Sequence, residues 1–298
     1  MEPVPLKFYE AVTDNLSKDD CGQLVCFKHR DLARAVDRKL SRPVYCVSIF
    51  QKERKAGIDW FMTFFMNTHR DFCEETSVSL EEVCRSKFKI KTIHLTERQI
   101  IRGEDAIRFD EKSFALIMNS IDLEHFPTLW ASYHTAALLK TFSRVPLRRI
   151  HLLCKEQSCL DFIQAQADHG MMLEASIGLM NASLQLQTVL ERLFRQPQFA
   201  ELNANLESSA EEVIFDEACV TRLMADWMRD PEQFAGKKLS VCLENAALLN
   251  SDLKMISDRA DLTQTIYGRM TPDGHFLMCV VDYPNMCEFT FTIKDLCL

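Results

Sequence analysis

Glycine is scarce in this chain, eight in 298 residues, and the loops that cradle phosphates are built from glycine. The sequence holds no G-x-x-x-x-G-K-S/T loop, no G-x-G-x-x-G turn and no G-x-S-x-G elbow. Nucleotide chemistry through these loops therefore has no support. H-E-x-x-H is absent, and none of the twelve cysteines forms a C-x-x-C pair. A tetrahedral zinc site needs such closely paired ligands. A surplus of positive charge is missing as well. With 35 Lys and Arg against 43 Asp and Glu, the net charge is -8 and the pI about 5.6. Phosphate contacts require a basic surface, so no nucleic-acid partner is expected, nor an electrostatically driven membrane role. No stretch reaches the roughly 18 uninterrupted apolar residues of a membrane span. The start, MEPVPLKFYE, has no basic segment followed by an apolar run, and is read as no signal peptide.

What remains is a globular composition, 47% hydrophobic and 26% charged, on a chain long enough for a large core and one to two domains. The cysteines are scattered through apolar runs such as Pro43 to Phe50, PVYCVSIF. Buried, reduced thiols in a cytoplasmic or nuclear protein are expected.

The stretch from Pro3 to Leu40 has the most informative spacing. Pro5 sits where a helix can begin, its φ already set and its missing N–H not needed. Phe8, Val12 and Leu16 follow at steps of four, with Tyr9 beside them, giving one apolar helix face. Ser17 and Asp20 form an S-x-x-D capping signal for a second helix carrying Cys21, Leu24, Val25 and Phe27. A third helix, His29 to Leu40, places Leu32, Ala35, Val36 and Leu40 on one side.

Three short helices in this register, Val4-Pro5, Phe8, Val12, Leu16 and Asp20, resemble an F-box, the motif that docks a protein onto the Skp adaptor of a cullin-based ubiquitin ligase. Cys21 stands where the F-box usually has Leu, and the Trp of its third helix is absent, with Asp31 or Leu32 in that region. The resemblance implies that Val4, Pro5, Phe8, Tyr9, Val12, Leu16 and Leu24 bury against the adaptor. It also implies a division into an F-box-like module, 1–42, and a substrate-recognition domain, 43–298.

Beyond Pro43, the runs Val44 to Phe50 and Trp60 to Met66 are dense in β-branched and aromatic residues and read as a hairpin, with Gln51 to Gly57 as its turn. From Leu80 onward, an apolar helix face gives way repeatedly to a short strand. LEEVCRSKFKIKTIHL, ALLKTFSRVPLRRIHLL, VLERLFRQPQFAELNANL and LMADWMRDPEQFAGKKLSVCL each read this way. The last three carry Pro146, Pro197 and Pro231, spaced by 51 and 34 residues, so the repeat is irregular. An ordinary α/β domain with routine helix-to-strand connections is the competing reading. Phe114 to Ile121 and Leu129 to Phe142 read as helical, and Met171 to Leu179 as a strand. Thr265 to Met270, His275 to Val281 and Cys287 to Ile293 read as three strands. In the last, Cys287, Phe289, Phe291 and Ile293 alternate with polar residues, so one face is buried.

The region resembles the leucine-rich-type repeats that follow an F-box in many substrate receptors, and its ending the associated domain of the large nematode F-box families. The latter likeness rests on Leu223, Trp227, Leu239 and Val241 and on Tyr267, Arg269, Asp273 and Gly274. The expected fold is thus α+β or α/β: a three-helix F-box-like module, irregular leucine-rich-repeat-like helix-strand units, and a C-terminal antiparallel meander that caps them.

Two basic clusters are candidates for substrate binding. Lys87, Lys89 and Lys91 alternate with Phe88 and Ile90, and Arg144, Arg148, Arg149 and His151 occupy the corresponding place in a later unit. On strands, either would present cations on one face, suited to a phosphate or an acidic peptide, although such charges also simply keep a face solvated. Cys21, Cys26 and His29, and Cys154, Cys159 and His169, lack zinc spacing. No catalytic residue, metal or cofactor is assigned. The expected function is a non-enzymatic target receptor in an SCF-type ligase, or else an interaction scaffold with no ubiquitin connection.

Overall fold

In the computed structural model, the described residues are 32–36, 44–54, 57–67, 75–85, 89–97, 106–121, 127–132, 135–154, 157–179, 184–204, 217–243, 253–259, 264–272, 274–282 and 286–292. The chain divides into two compact units, Met1–Thr92 with Arg98–Asp122, and Ile93–Glu97 with Leu123–Leu298.

The first unit is built on a long antiparallel hairpin of β1 (Val44–Arg54) and β2 (Gly57–Asn67). Its strands run on through Gln51 to Arg54, which the sequence reading had given to the turn. β3 (Glu75–Val78) pairs antiparallel with β2, and the short helix α1 (Leu80–Arg85) follows. After β4 (Ile90–Thr96), β5 (Ile107–Arg108) also pairs with β2. Helix α2 (Glu111–Ser120) starts on a capping box in which Asp110 accepts from Ser113 N–H and Ser113 Oγ accepts from Asp110 N–H. The hairpin is buried on both faces, since Cys46, Val47, Ile49 and Phe50 are all at most 4% exposed. Within it, Ser48 and Thr63 stand directly opposite each other, both buried, and neither hydroxyl has a hydrogen-bond partner. Residues 32–36 form one helical turn with Ala35 and Val36 buried.

The second unit takes the C-terminal half of β4 and continues β6 (Thr128–Ala131), α3 (Ala136–Phe142), β7 (Arg149–Cys154), α4 (Gln157–His169), β8 (Glu174–Leu179), α5 (Leu184–Phe194), β9 (Glu201–Asn203), α6 (Glu217–Arg229), a 3-10 turn (Pro231–Phe234) and β10 (Lys238–Cys242). β6 to β10 pair parallel, each with the next in sequence. The strand starts are tied by a line of backbone bonds: Arg148 N–H to Pro127 O, Leu173 to Arg148, Ala200 to Leu173 and Lys238 to Ala200. Then come β11 (Lys254–Arg259), β12 (Gln264–Met270), β13 (Phe276–Asp282) and β14 (Met286–Thr292), all antiparallel, with β14 pairing directly to β10.

This overturns the expected fold class. Fourteen strands outnumber seven helices among the described residues, and the architecture is a large mixed sheet rather than a helical module followed by separately stacked helix-strand repeats. The physical reason is edge pairing. Leu239 lies opposite Phe289 and Val241 opposite Cys287, so the antiparallel ending extends the sheet instead of capping it. Residues 128–131, read as helical, are the strand β6. Of the expected three-helix module, all but residues 32–36 lies outside the described residues.

Helices α3 to α6 pack in succession, each on the next. They bury the side of the sheet formed by Leu129, Ile150, Ala175, Leu202, Leu239, Phe289 and Cys279, all at most 1% exposed. Phe194 of α5 and Trp227 of α6 both meet the Phe291 ring, at 6.0 and 6.2 Å between centroids. Burying these aromatic rings stabilises the packing by about 25 cal/mol per Å² of apolar surface removed from water.

The turns between helix and strand are stitched by polar side chains from the following element. Gln166 of α4 bonds the backbone at Val145 and Leu147, after α3. Gln196 donates to Ala167 O, in the last turn of α4, and Gln198 to Gly170 O just after it. Lys237, just before β10, donates from Nζ to Phe194 O and Gln196 O at 2.6 and 2.7 Å, after α5. Carbonyls at helix ends have no partner within the helix, and these groups supply one. Burial pulls the Lys237 ammonium down to about 8.

Cys46, Cys219, Cys242, Cys279 and Cys287 are free thiols. Cys159 is disulfide-bonded, which departs from the reading of uniformly reduced cysteines.

Candidate functional site

Strand alternation sends every second residue of the second unit's sheet away from the helices. Two rows line this open face. One runs Trp130, His151, Ser176, Asn203, Ser240, Glu288, Val280 and Ile266; the other runs Thr128, Arg149, Glu174, Glu201, Lys238, Thr290, Met278 and Gly268. Except for Gly268, none of these residues is buried. The face is graded in chemistry. It is aromatic at β4 to β7, charged from β7 to β14, and apolar at β12 and β13, beyond which the exposed Lys254 of β11 stands opposite Gly268.

At the aromatic end, Trp130 is 43% exposed. The His151 ring stacks on it at 3.7 Å between centroids and 12° between planes, and the His94 ring of β4 lies nearly parallel to it at 6.3 Å. Burial first, and each imidazole's ionisable neighbour second (His151 for His94, Arg149 for His151), lowers both to about 4. Both rings are therefore neutral at physiological pH and act as flat, weakly polar walls around the indole.

In the charged stretch, Arg149 Nε lies 2.7 Å from Glu174 Oε2, an ion pair by distance that lacks hydrogen-bond alignment. Glu201 is raised above the usual carboxylate range, chiefly by burial and then by Glu174. Glu201 and Glu288 make no ion pair among the described residues. At the apolar end, Ile256 is 57% and Met270 67% exposed. A Cβ on Gly268 would stand 2.4 Å from Ile256 Cδ1 and 2.7 Å from Phe276 Cζ, so glycine is what lets these two side chains close over the strand.

Of the residues singled out from sequence, Arg149 and His151 lie on this face, Arg148 is half-buried just before β7, and Arg144 is exposed in the preceding turn. Lys89 and Lys91 are exposed in the first unit, and Lys87 lies outside the described residues, as do Val4, Pro5, Phe8, Tyr9, Val12, Leu16 and Leu24. His169 places its Nε2 2.9 Å from Ser143 O. His94 and Trp130 were missed, Trp130 because its segment was read as a helix. The signal was present: I-H-L occurs at 93–95 and again at 150–152, and L-W-A at 129–131. Each is an apolar-outward-apolar triplet that puts a ring on the open face.

No protein-family model and no curated protein matches the chain. Among solved structures, the MycE methyltransferase from the mycinamycin biosynthetic pathway, in complex with Mg, SAH and mycinamycin VI, aligns with 97% of this chain and 89% of that one. The two are 10% identical with a TM-score of 0.20, a score at which the alignment carries no argument about fold or function. No helix among the described residues is long and apolar enough to cross a membrane.

Proposed function

We propose that this chain acts by binding, as the substrate-recognition subunit of an SCF-type ubiquitin ligase. Its N-terminal residues Val4, Pro5, Phe8, Tyr9, Val12, Leu16 and Leu24 dock on a Skp-type adaptor joined to a cullin, and the open sheet face of the second unit holds a protein target. The observation that carries the binding half is Trp130. A large aromatic side chain 43% exposed, held between two imidazole rings on an open sheet face, has the character of an interface anchor. The adaptor half is supported by the F-box-like register of the first forty residues. Its contribution to ligation is proximity, which raises effective concentration without chemistry of its own. The exposed Lys89 and Lys91, with Lys87, form a second proposed contact to the target, and Arg148 and Arg149 border the first.

The test is a pull-down of the full chain with the Skp adaptor, beside a Phe8→Asp, Val12→Asp variant. Capture that the variant loses supports the receptor. Absence of capture by either protein overturns it and leaves the alternative, an interaction scaffold with no ubiquitin connection. Charge reversal at Lys89 and Arg149 is expected to weaken target binding, and unchanged binding removes those residues from the contact.

A further inference from the structure

The open face of the second unit ends in an apolar patch with a charge of opposite sign at each rim. Ile266, Gly268 and Met270 of β12 stand opposite Val280, Met278 and Phe276 of β13, and alternation puts all six on this face. Ile256 of β11 closes over Gly268 from the outer side. Ile256 and Met270 are 57% and 67% exposed, and the other apolar side chains of the patch are half-buried. Three strands by three residue pairs is roughly 14 by 20 Å, or about 300 Å². Single apolar residues on a surface are ordinary, whereas a contiguous patch marks a surface that something covers.

The rims say what covers it. On the β11 side Lys254 stands opposite Gly268, and on the β14 side Glu288 stands opposite Val280. Both are exposed, and neither makes an ion pair among the described residues. They lie three strands apart, roughly 14 Å, too far to pair within one chain. Farther out, Lys238 and Glu201 stand opposite each other and balance. An occupant must therefore be apolar at its centre, with a carboxylate over Lys254 and a cation over Glu288.

A second copy of the same face meets all three demands, in one orientation. Two sheets pack face to face with their strands aligned to within about 30°. A two-fold axis running along the strands, between β12 and β13, sets β11 over β14 of the second copy and β12 over its β13. Met270 then faces Phe276 of the second copy and Ile266 faces its Val280, while Lys254 reaches toward its Glu288. The axis repeats each contact. An axis running across the strands sets β11 over β11 and β14 over β14, which brings like charges to the same rim. The charges thus choose between the two.

We propose that the apolar end of this face joins two copies of the chain, sheet to sheet, about a two-fold axis running along β12 and β13. Trp130 lies six strands from Met278, roughly 29 Å away, so the inference goes beyond the target-binding reading and does not rest on it. The patch is small beside the roughly 800 Å² per partner of a standard interface, so the dimer is a weak one.

The test is sedimentation velocity of the full chain from micromolar to near-millimolar concentration. The weight-average mass is expected to rise from that of one chain toward that of two. Met270→Glu places a charge inside the patch and is expected to raise the dissociation constant by about ten-fold or more. Lys254→Glu and Glu288→Lys are each expected to raise it about five-fold, and the double variant Lys254→Glu, Glu288→Lys to restore it. At low concentration every variant is expected to melt as the parent does, since the substituted groups are exposed.

A single-chain mass at every concentration overturns the proposal. A dimer that Met270→Glu leaves intact overturns it as well, because the contact then lies elsewhere. Two single charge variants that weaken association without rescue in the double variant overturn the orientation. The measurement uses the chain alone, so its outcome and that of the adaptor pull-down are independent.

Discussion

Gln166 clamps Leu147. The Leu147 N–H donates to Gln166 Oε1 at 3.1 Å, while Gln166 Nε2 donates to Val145 O at 2.9 Å, and Gln166 and Leu147 are at most 1% exposed. One amide thus satisfies both backbone groups flanking Pro146, in a turn where the proline itself has no N–H to offer. Leaving a buried backbone group unpaired costs about 1–3 kcal/mol. Gln166→Leu is therefore expected to lower unfolding free energy by roughly 2–4 kcal/mol, read as a shifted urea midpoint at unchanged slope. Gln166→Glu keeps the acceptor for Leu147 but aims a carboxylate at a carbonyl, and is expected to be worse at neutral pH than at pH 4. Equal stability of Gln166→Leu and the parent shows the clamp to be dispensable.

Lys237 gives a pH dependence of defined sign. Its folded pKa, about 8, lies below the ordinary 10.5, so between these values the unfolded chain binds more protons. Stability from this group therefore rises with pH across that window, by up to about 1.4 kcal/mol per unit. Below pH 8 the cost of the buried ammonium is present in full. Lys237→Met removes the slope but takes the Nζ donor from the carbonyls of Phe194 and Gln196, of which Gln196 keeps the Phe199 N–H. Urea midpoints from pH 7.5 to 10.5, parent against variant, give the difference; parallel curves contradict the assignment.

His94 and His151 act at the acid end. Both are lowered from 6.5 to about 4, so their contribution is fully present above pH 6.5 and is lost as pH falls toward 4. The loss is no more than about 1.4 kcal/mol per pH unit and ring. Their charged surroundings on the face are Arg149, which opposes protonation, and the Glu174 paired to it. His94→Asn with His151→Asn is expected to flatten the stability profile between pH 6.5 and 4, measured by urea unfolding at each pH. An unaltered profile means the rings are not held neutral by the fold.

Ser48 and Thr63 are a polar pair the first unit does not use. Opposite each other on β1 and β2, both buried and with unpartnered hydroxyls, they retain the desolvation cost of two polar groups. Replacing both by apolar residues of similar shape is expected to be neutral or to stabilise by about 1 kcal/mol. Ser48→Ala with Thr63→Val, followed by thermal denaturation, checks this. A fall in melting temperature of several degrees means that an ordered water or another group serves these hydroxyls.

Much of the strand pattern was legible because alternation is a local property. Cys287, Phe289 and Phe291 against Glu288 and Thr290 reads as a half-buried strand from the letters alone, and β14 has that burial pattern. The helices α3, α5 and α6 were legible through their apolar faces, whereas α4 was not read from the sequence. What the letters do not carry is pairing. Nothing in LSVC or CEFT names the other as neighbour, so β14 was read as part of a cap when it completes the edge of β10. The unequal steps of 21, 25, 27 and 38 residues between Pro127, Arg148, Leu173, Ala200 and Lys238 follow from helices and loops of different length, which hid the in-order pairing. Trp130 was lost to a helix reading because TLWA is four residues long, too short for alternation to outweigh the helical run after it. With it went the stacking partner that marks the face.

The pairing of β10 with β14 also sets a timetable. Strands β6 to β10 each join a neighbour already made, so this part of the sheet can grow as the chain leaves the ribosome, one short loop closure at a time. The second edge of β10 is different: its partner, Met286–Thr292, is the last strand in chain order among the described residues. Until it emerges, Leu239 and Val241 flank a row of open backbone donors and acceptors, the kind of edge on which other chains add. A nascent chain stalled or cut before Met286 should therefore behave as an aggregation seed and a chaperone client, while one released after Thr292 seals its own growing end.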